Sequence, residues 1–370
     1  MMQIVINSTE FKDCLESVEK ILPTRSTMPV INNIYLDTNP GSLIIAATNL
    51  EMFISVSMHY NGKESGKILL PPKIVDIMRY FPTPDVTINV NWDNKRIEIF
   101  GGQAQFHLFG SDPEDFPTSL GPENDSGQAI EIEQGLLKKM LRMVVFAAST
   151  EESRPAFNGI LIKLEGGILT FTASDTYRLA VNKTFNEEWD GKEFRLLVPA
   201  RTLREFLRIA NDSQLPVKLK FDKSILSFEF GDVYFATRLL EEKYPDVSGV
   251  IPKEYKTRII VDRKLLEETV ARANLLAEGK NQAIHFSIQE EELQIKASGQ
   301  EGRMEEILPV EREGDLLELY VNSRYILDLI KQLDVEKVSI DFHGDGGPLI
   351  FRMPGRQDYL YLALPIKKFN

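Results

Sequence analysis

The chain reads as α+β: three similar domains, each a strand–helix–three-strand unit used twice. Three landmarks carry that reading. Pro29-Val30-Ile31-Asn32-Asn33-Ile34, then Ala47-Thr48-Asn49-Leu50, return as Arg154-Pro155-Ala156-Phe157-Asn158-Gly159-Ile160, then Ala173-Ser174-Asp175-Thr176. Pro29 and Pro155 lie 126 apart, as do Thr48 and Ser174. Leu70-Pro71-Pro72-Lys73 returns as Val198-Pro199-Ala200-Arg201 after 128 residues, and more faintly as Val321-Asn322-Ser323-Arg324. Asp115-Phe116-Pro117 returns as Lys243-Tyr244-Pro245-Asp246, again after 128. Periods this long exceed those of solenoids and match whole domains. They place the domains at 1–126, 127–254 and 255–370.

Each domain opens on a strand: Gln3–Asn7, Ala129–Glu133 and Arg258–Asp262. An amphipathic helix follows. Phe11, Leu15, Val18 and Leu22 recur at three- and four-residue spacing, and Leu136–Ala148 and Leu265–Ala277 are the equivalents. Three alternating or apolar strands come next, with turns such as Asn39-Pro40-Gly41-Ser42 and Glu165-Gly166-Gly167. The second half repeats the order. Lys67–Leu70 is a strand, and Pro71-Pro72 starts a helix through Tyr80, where an early proline is tolerated. Val86–Trp92, Arg96–Phe100 and Gln103–Phe109 follow, with Asp93-Asn94 at a hairpin corner. Sheets on the outside with both helices together on one side is the packing this order favours. Pro113–Gly127 and Glu241–Tyr255 read as linkers.

Composition bounds the function. The 370 residues are 43% hydrophobic and 26% charged, ordinary for a globular protein. A single cysteine, Cys14, excludes an internal disulfide framework and fits a reducing cytoplasm. The first strand follows Met1 without a signal-peptide pattern, and no apolar run approaches membrane-span length. A net charge of −12 argues against a general electrostatic grip on nucleic acid, unless charge is segregated by face.

Catalytic chemistry is not apparent. His59, His107, His285 and His343 lack metal-ligand spacing with one another or with Cys14. No phosphate-binding glycine loop precedes a helix, and Gly344-Asp345-Gly346-Gly347 sits between two strands, as a hairpin loop does. Glu187-Glu188 and Glu290-Glu291-Glu292 fall at turns, as solvated charge runs do. An enzyme with an interdomain active site would need convergent groups that the chain does not show.

Two helices are basic against the acidic average. Leu136–Ala148 carries Lys138, Lys139 and Arg142 and no acid. Ala200–Ala210 carries Arg201, Arg204 and Arg208 on one face, with Glu205 alone. Such faces serve solubility, or meet a polyanion without reading its sequence. The ending is also unusual. Tyr359–Leu364 is apolar, Pro365 stops the ladder, and Ile366 and Phe369 follow. Chain ends are normally polar and frayed; an apolar one is a last strand, and can also wall a groove.

Ala173-Ser174-Asp175-Thr176-Tyr177-Arg178-Leu179-Ala180, Leu239-Leu240-Glu241-Glu242-Lys243-Tyr244-Pro245-Asp246 and the ending Leu364-Pro365-Ile366 fall in order on the threefold repeat. In these the chain resembles the bacterial DNA polymerase III beta subunit, the sliding clamp family, over its whole length. Phe146-Ala147-Ala148-Ser149-Thr150 and Arg154-Pro155 are most similar to Gram-positive members. The resemblance implies the DNA clamp fold: a head-to-tail homodimer ring, helices lining the hole and sheets outside, encircling double-stranded DNA in the bacterial cytoplasm at the nucleoid. It implies no catalysis, cofactor, metal or membrane. The ring tethers the replicative polymerase for processive synthesis. A clamp paralogue serving repair or resistance would carry the same residues.

The resemblance also implies site residues. A partner-peptide pocket would be walled by Phe157, Ser174, Thr176, Tyr177, Arg178, Leu179, Pro245 and Val250. From the third domain it would take Asn322, Tyr325, Gly346, Pro348, Leu362, Ala363, Leu364, Pro365 and Ile366. Its ligands would be short hydrophobic motifs of the polymerase III alpha subunit, the clamp loader, other polymerases and repair proteins. Arg25, Lys138, Lys139, Arg142, Arg154, Arg201, Arg204 and Arg208 would face DNA. Phe106 and Leu108, on an edge strand, would meet Leu275 and Leu276 on the third domain's helix of another copy, since edge strands invite pairing. The chain departs from the family's commonest residues at Thr176, Tyr177 and Gly249, and ends slightly long with Phe369-Asn370.

Overall fold

The structure is a computed structural model that describes residues 2–60, 62–122, 128–151, 153–279 and 281–367. Phe369 and Asn370, and the end of the first linker at 123–127, lie outside the described residues. The first repeat runs β1 (Met2–Asn7), α1 (Ser8–Glu19), β2 (Ile34–Asn39), β3 (Gly41–Thr48), β4 (Met52–Tyr60), β5 (Gly66–Leu70), α2 (Lys73–Arg79), β6 (Asp85–Asn91), β7 (Arg96–Gly101) and β8 (Ala104–Phe109). The second runs β9 (Gln128–Glu133), α3 (Gln134–Val145), β10 (Gly159–Glu165), β11 (Ile168–Ser174), β12 (Arg178–Phe185), β13 (Phe194–Pro199), α4 (Ala200–Ile209), β14 (Pro216–Phe221), β15 (Ile225–Phe230) and β16 (Val233–Arg238). The third runs β17 (Thr257–Asp262), α5 (Arg263–Asn274), β18 (Ala283–Ile288), β19 (Glu292–Gly299), β20 (Gly302–Pro309), β21 (Glu311–Gly314), β22 (Leu317–Asn322), α6 (Ser323–Ile330), β23 (Lys337–Phe342), β24 (Leu349–Arg352) and β25 (Tyr359–Ala363). The short β21 is the one strand the repeat does not foresee.

Strands pass directly into helices because the last strand residue is an N-cap. The side chain of Asn7 accepts from the backbone N–H of Thr9 and Glu10, Asp262 from Leu265 and Asn322 from Arg324. Each satisfies donors that a helix start leaves open. On α1, Phe11, Leu15 and Val18 are fully buried, and α2 buries Ile74, Val75 and Met78. Full burial of such a side chain contributes roughly 1.5–3 kcal/mol. α1 packs on α2, and α5 on α6.

The sheets do not respect the repeats. An eight-stranded antiparallel sheet has the order β5-β2-β3-β4-β16-β15-β14-β9, and a nine-stranded one β13-β10-β11-β12-β25-β24-β23-β17-β21. Two four-stranded sheets, β1-β6-β7-β8 and β20-β19-β18-β22, complete the fold. Half of the middle repeat therefore extends the first repeat's sheet through β4·β16, and half extends the third repeat's through β12·β25. The chain accordingly packs as two compact units, Met1–Leu137 with Arg204–Leu239 and Lys138–Leu203 with Leu240–Asn370.

Candidate partner groove and basic helices

Register puts a row of side chains on one face of the nine-stranded sheet. Ser174 opposes Leu179, Leu179 opposes Leu362, and Leu362 opposes Ile350. Facing residues of an antiparallel ladder share a face and touch. Leu179, Val181, Ile350, Leu360 and Leu362 form one buried apolar cluster, with Val247 and Ile251 of the second linker packed against it. Leu161, Leu197 and Tyr244 form another, with Phe157, Leu240 and again Val247. The linker thus lies over this face. Gly159 permits its close approach, since a Cβ there would come within 2.8 Å of Leu240 Cδ1. Phe157 meets Tyr244 edge-on at 5.6 Å, and burial pushes the Tyr244 phenol well up.

Beside the clusters stand apolar residues that remain in water. Tyr177 is 52% exposed, Val250 56% and Leu364 41%. Pro245 and Gly346 are also exposed, and Pro348, Pro365 and Ile366 are half-buried. The segment after β25 is pinned as far as Ile366. Leu364 N–H donates to Tyr177 O at 2.9 Å and Ile366 N–H to Tyr320 O at 2.7 Å. Pro365, which has no N–H to give, sits between them. The phenols of Tyr359 and Tyr361 donate to the carbonyls of Met143 and Tyr325, both at 3.0 Å, and hold β25 from the other face.

The corner between β11 and β12 is built by side chains. Ser174 Oγ accepts from Thr176 N–H and donates to Arg178 O, while Asp175 Oδ1 accepts from the N–H groups of Tyr177 and Arg178. Thr176 is held at φ +78°. Arg178 is not open to a ligand. Its guanidinium donates to Asp175 at 2.9 Å and Asp328 at 2.6 Å, and lies 4.6 Å from the centre of the Tyr325 ring. Asn322 is likewise taken up as the α6 cap. The sequence reading missed Val247, Ile251, Ile350 and Asp328. The apolar run Leu349-Ile350-Phe351 of β24 could have given Ile350; the loop residues carry no periodicity.

The basic residues separate. Lys139, Arg142, Arg201 and Arg208 are exposed, as is Arg25 in the loop after α1, and Arg204 is half-buried. Lys138 is buried, only 5% exposed, because it falls on the apolar side of α3 with Leu137 and Leu141; it is not on an exposed basic face. Arg154 donates to Thr176 Oγ1 and so belongs to the groove corner, not to a free cationic face. Arg208 pairs with Glu205 at 3.0 Å, and its carbonyl accepts from Lys20 Nζ at 2.8 Å.

β8 is an edge strand, as expected, with Phe106 and Leu108 half-buried and Phe109 76% exposed. Leu275, 79% exposed, and Leu276 follow α5 instead of sitting on it, because the helix stops at Asn274.

Repeated α+β domains joined by sheet seams define the clamp class. Family models of the DNA polymerase III beta subunit match all three parts: the N-terminal domain over residues 2–120, the central domain over 131–246 and the C-terminal domain over 248–367. A beta sliding clamp of Staphylococcus aureus is 29% identical over 381 residues, covering 100% of both chains. The Bacillus subtilis sliding clamp structure superposes with a TM-score of 0.92 at 28% identity, covering 100% of each chain. A Streptococcus pneumoniae beta chain gives 0.93 at 25%, also covering 100% of each. The chain belongs to the DNA polymerase III beta subunit family, the beta sliding clamps. These are processivity subunits, not enzymes. Among the described residues no helix is long and apolar enough to cross a membrane.

Proposed function

We propose that two copies of this chain close head to tail into a ring of six domains, bounded at 1–126, 127–254 and 255–370. The ring encircles duplex DNA in the bacterial cytoplasm and tethers a polymerase through the groove described above. One observation carries the ring. In each internal seam, the fourth strand of one repeat pairs with the last strand of the next: β4 with β16, then β12 with β25. The strands left over by this rule are β20 of the third repeat and β8 of the first, and both are sheet edges. A second copy supplies the missing partner, with Phe106, Leu108 and Phe109 of one chain near Leu275 and Leu276 of the other. Such an interface is heterologous, and it closes into a ring when the rotation permits.

The exposed cations of α3 and α4 support loose phosphate contacts that permit sliding. The groove takes a peptide's aliphatic and aromatic side chains between Leu179, Val250, Leu364 and Ile366. The direct test is sedimentation equilibrium of the parent and of Leu275→Lys with Leu276→Ala. A folded monomer is expected from the double variant; an unchanged dimer overturns the seam. For function, Arg201, Arg204 and Arg208 changed to Glu should reduce processive synthesis on a circular primed template with clamp loader, while peptide binding stays intact. Parental processivity would remove α4 from the DNA contact.

A further inference from the structure

The row of the groove continues past its apolar part. Ile350 opposes Asp341 on β23, and Asp341 opposes Arg258 on β17. Here the sheet face turns ionic, and a cavity of about 400 Å³ opens on it. Ile350 packs with Leu179 and Leu362 in the groove and also lines this cavity, so the two share a wall.

The cavity's charges do not balance. Its lining includes Lys253, Arg258, Arg352 and Arg356 against Glu254 and Asp341. Arg356 is committed to Asp358, at 2.9 Å. The Asp341 carboxylate, with its side chain 6% exposed, accepts from Arg258 on both oxygens at 2.5 and 2.8 Å. The Tyr255 ring, 3.9 Å from the Arg258 guanidinium, caps that pair. Arg352 therefore reaches the same carboxylate only at 3.5 Å, and its side chain is 31% exposed. Its fork of donors fits a planar anion, which would be bound bidentately.

We propose that this cavity receives a carboxylate of the peptide whose apolar side chains fill the groove, with Arg352 as the main partner and Lys253 beside it. The proposal rests on the groove reading and adds a charge requirement to it. An acidic side chain flanking the apolar core, or the peptide's own C-terminal carboxylate, supplies the same chemistry.

The test uses the full chain and four peptides with one glutamine–aliphatic–aromatic core. One is neutral and amidated, one has Glu before the core, one has Glu after it, and one has a free C-terminus. Calorimetry at low salt should show at least one acidic arm binding about 10-fold tighter than the neutral peptide, the ratio expected from one charge-assisted hydrogen bond. Which arm gains tells side chain from terminus. Arg352→Gln should erase that advantage and leave both the neutral affinity and the unfolding midpoint unchanged; Arg352→Lys should keep part of it. Equal affinities for all four peptides, or an equal loss for neutral and acidic peptides in Arg352→Gln, overturns the proposal and leaves the groove standing. If no peptide binds, the neutral one included, the groove reading falls and the proposal with it.

Discussion

The two internal seams have the same plan and different fillings. At the first, Thr48 Oγ1 accepts from Leu50 N–H and donates to Met52 O, and Asn49 Oδ1 accepts from the N–H groups of Glu51 and Met52. At the second, Ser174 and Asp175 make the same bonds 126 residues later. Both corners hold a non-glycine residue at positive φ, Leu50 at +73° and Thr176 at +78°. Where the second seam has Leu179 and Leu360, the first has Phe53 and Tyr234, edge to face at 6.3 Å. The Tyr234 phenol donates to Leu120 O of the linker at 2.8 Å, and Phe116 stacks on Tyr35 at 5.0 Å. Rings fill the first seam and tie down its linker. The second has aliphatic side chains in their place and an exposed Val250, which supports the proposed peptide groove. On the proposed reading, a partner site would arise by changing the filling of a repeated structural joint, not by adding an element.

The comparison can be broken hardest at the corners. Arg178→Met copies Met52 of the first corner into the second and strips Asp175 and Asp328 of their cation. Loss of one partner of such a network should cost about 2–3 kcal/mol in urea unfolding, toward the low end because the Asp328 side chain is 43% exposed. Met52→Leu, a volume-conserving change, should cost under about 1.5 kcal/mol. Equal costs would mean that the ion network carries no stability.

Filling the second seam comes next. Leu179→Phe with Leu360→Tyr should cut peptide affinity by about 2 kcal/mol or more, as loss of a hot spot does. The chain should stay folded, at an overpacking cost of about 1–3 kcal/mol. Undiminished affinity by calorimetry would locate peptides elsewhere. A smaller effect is expected from Tyr234→Phe, which removes the bond to Leu120 O: about 1 kcal/mol of stability, with no change in peptide binding. The least is at positive φ. Leu50→Gly should raise stability by about 0.5–1 kcal/mol by relieving left-handed strain. Thr176→Gly should gain less, since it also removes the hydroxyl that accepts from Arg154. Equal gains in thermal unfolding would show that the Arg154 contact is worth nothing.

The repeat, the helices and nearly all strands were legible because apolar spacing and turn residues are local signals. The helix ends shifted by a few residues; Asn7 and Asp262 are polar strand-enders whose capping role emerges only once the helix forms. The continuous sheets were not legible, since β4·β16 and β12·β25 join residues more than a hundred apart, and pairing of that range leaves no periodicity. For the same reason Lys138 was misread. Charge type is visible in sequence, but the side of α3 it faces depends on what packs there. Arg178 was expected in the wall of a partner pocket; its commitment to Asp328 was not legible, because that partner comes from α6, far along the chain.

Seams of this kind also set where an assembly would part under load. A pull between the first and second repeats, or the second and third, is borne by a strand ladder and by an unbroken covalent linker in parallel. A pull separating β8 from the β20 of another copy would meet a ladder alone. In the proposed ring, each chain would contribute two welded joints and one clasp. Stretching the proposed two-chain ring by optical tweezers should therefore show its first rupture at one of its two clasps, with all four internal joints intact at that force.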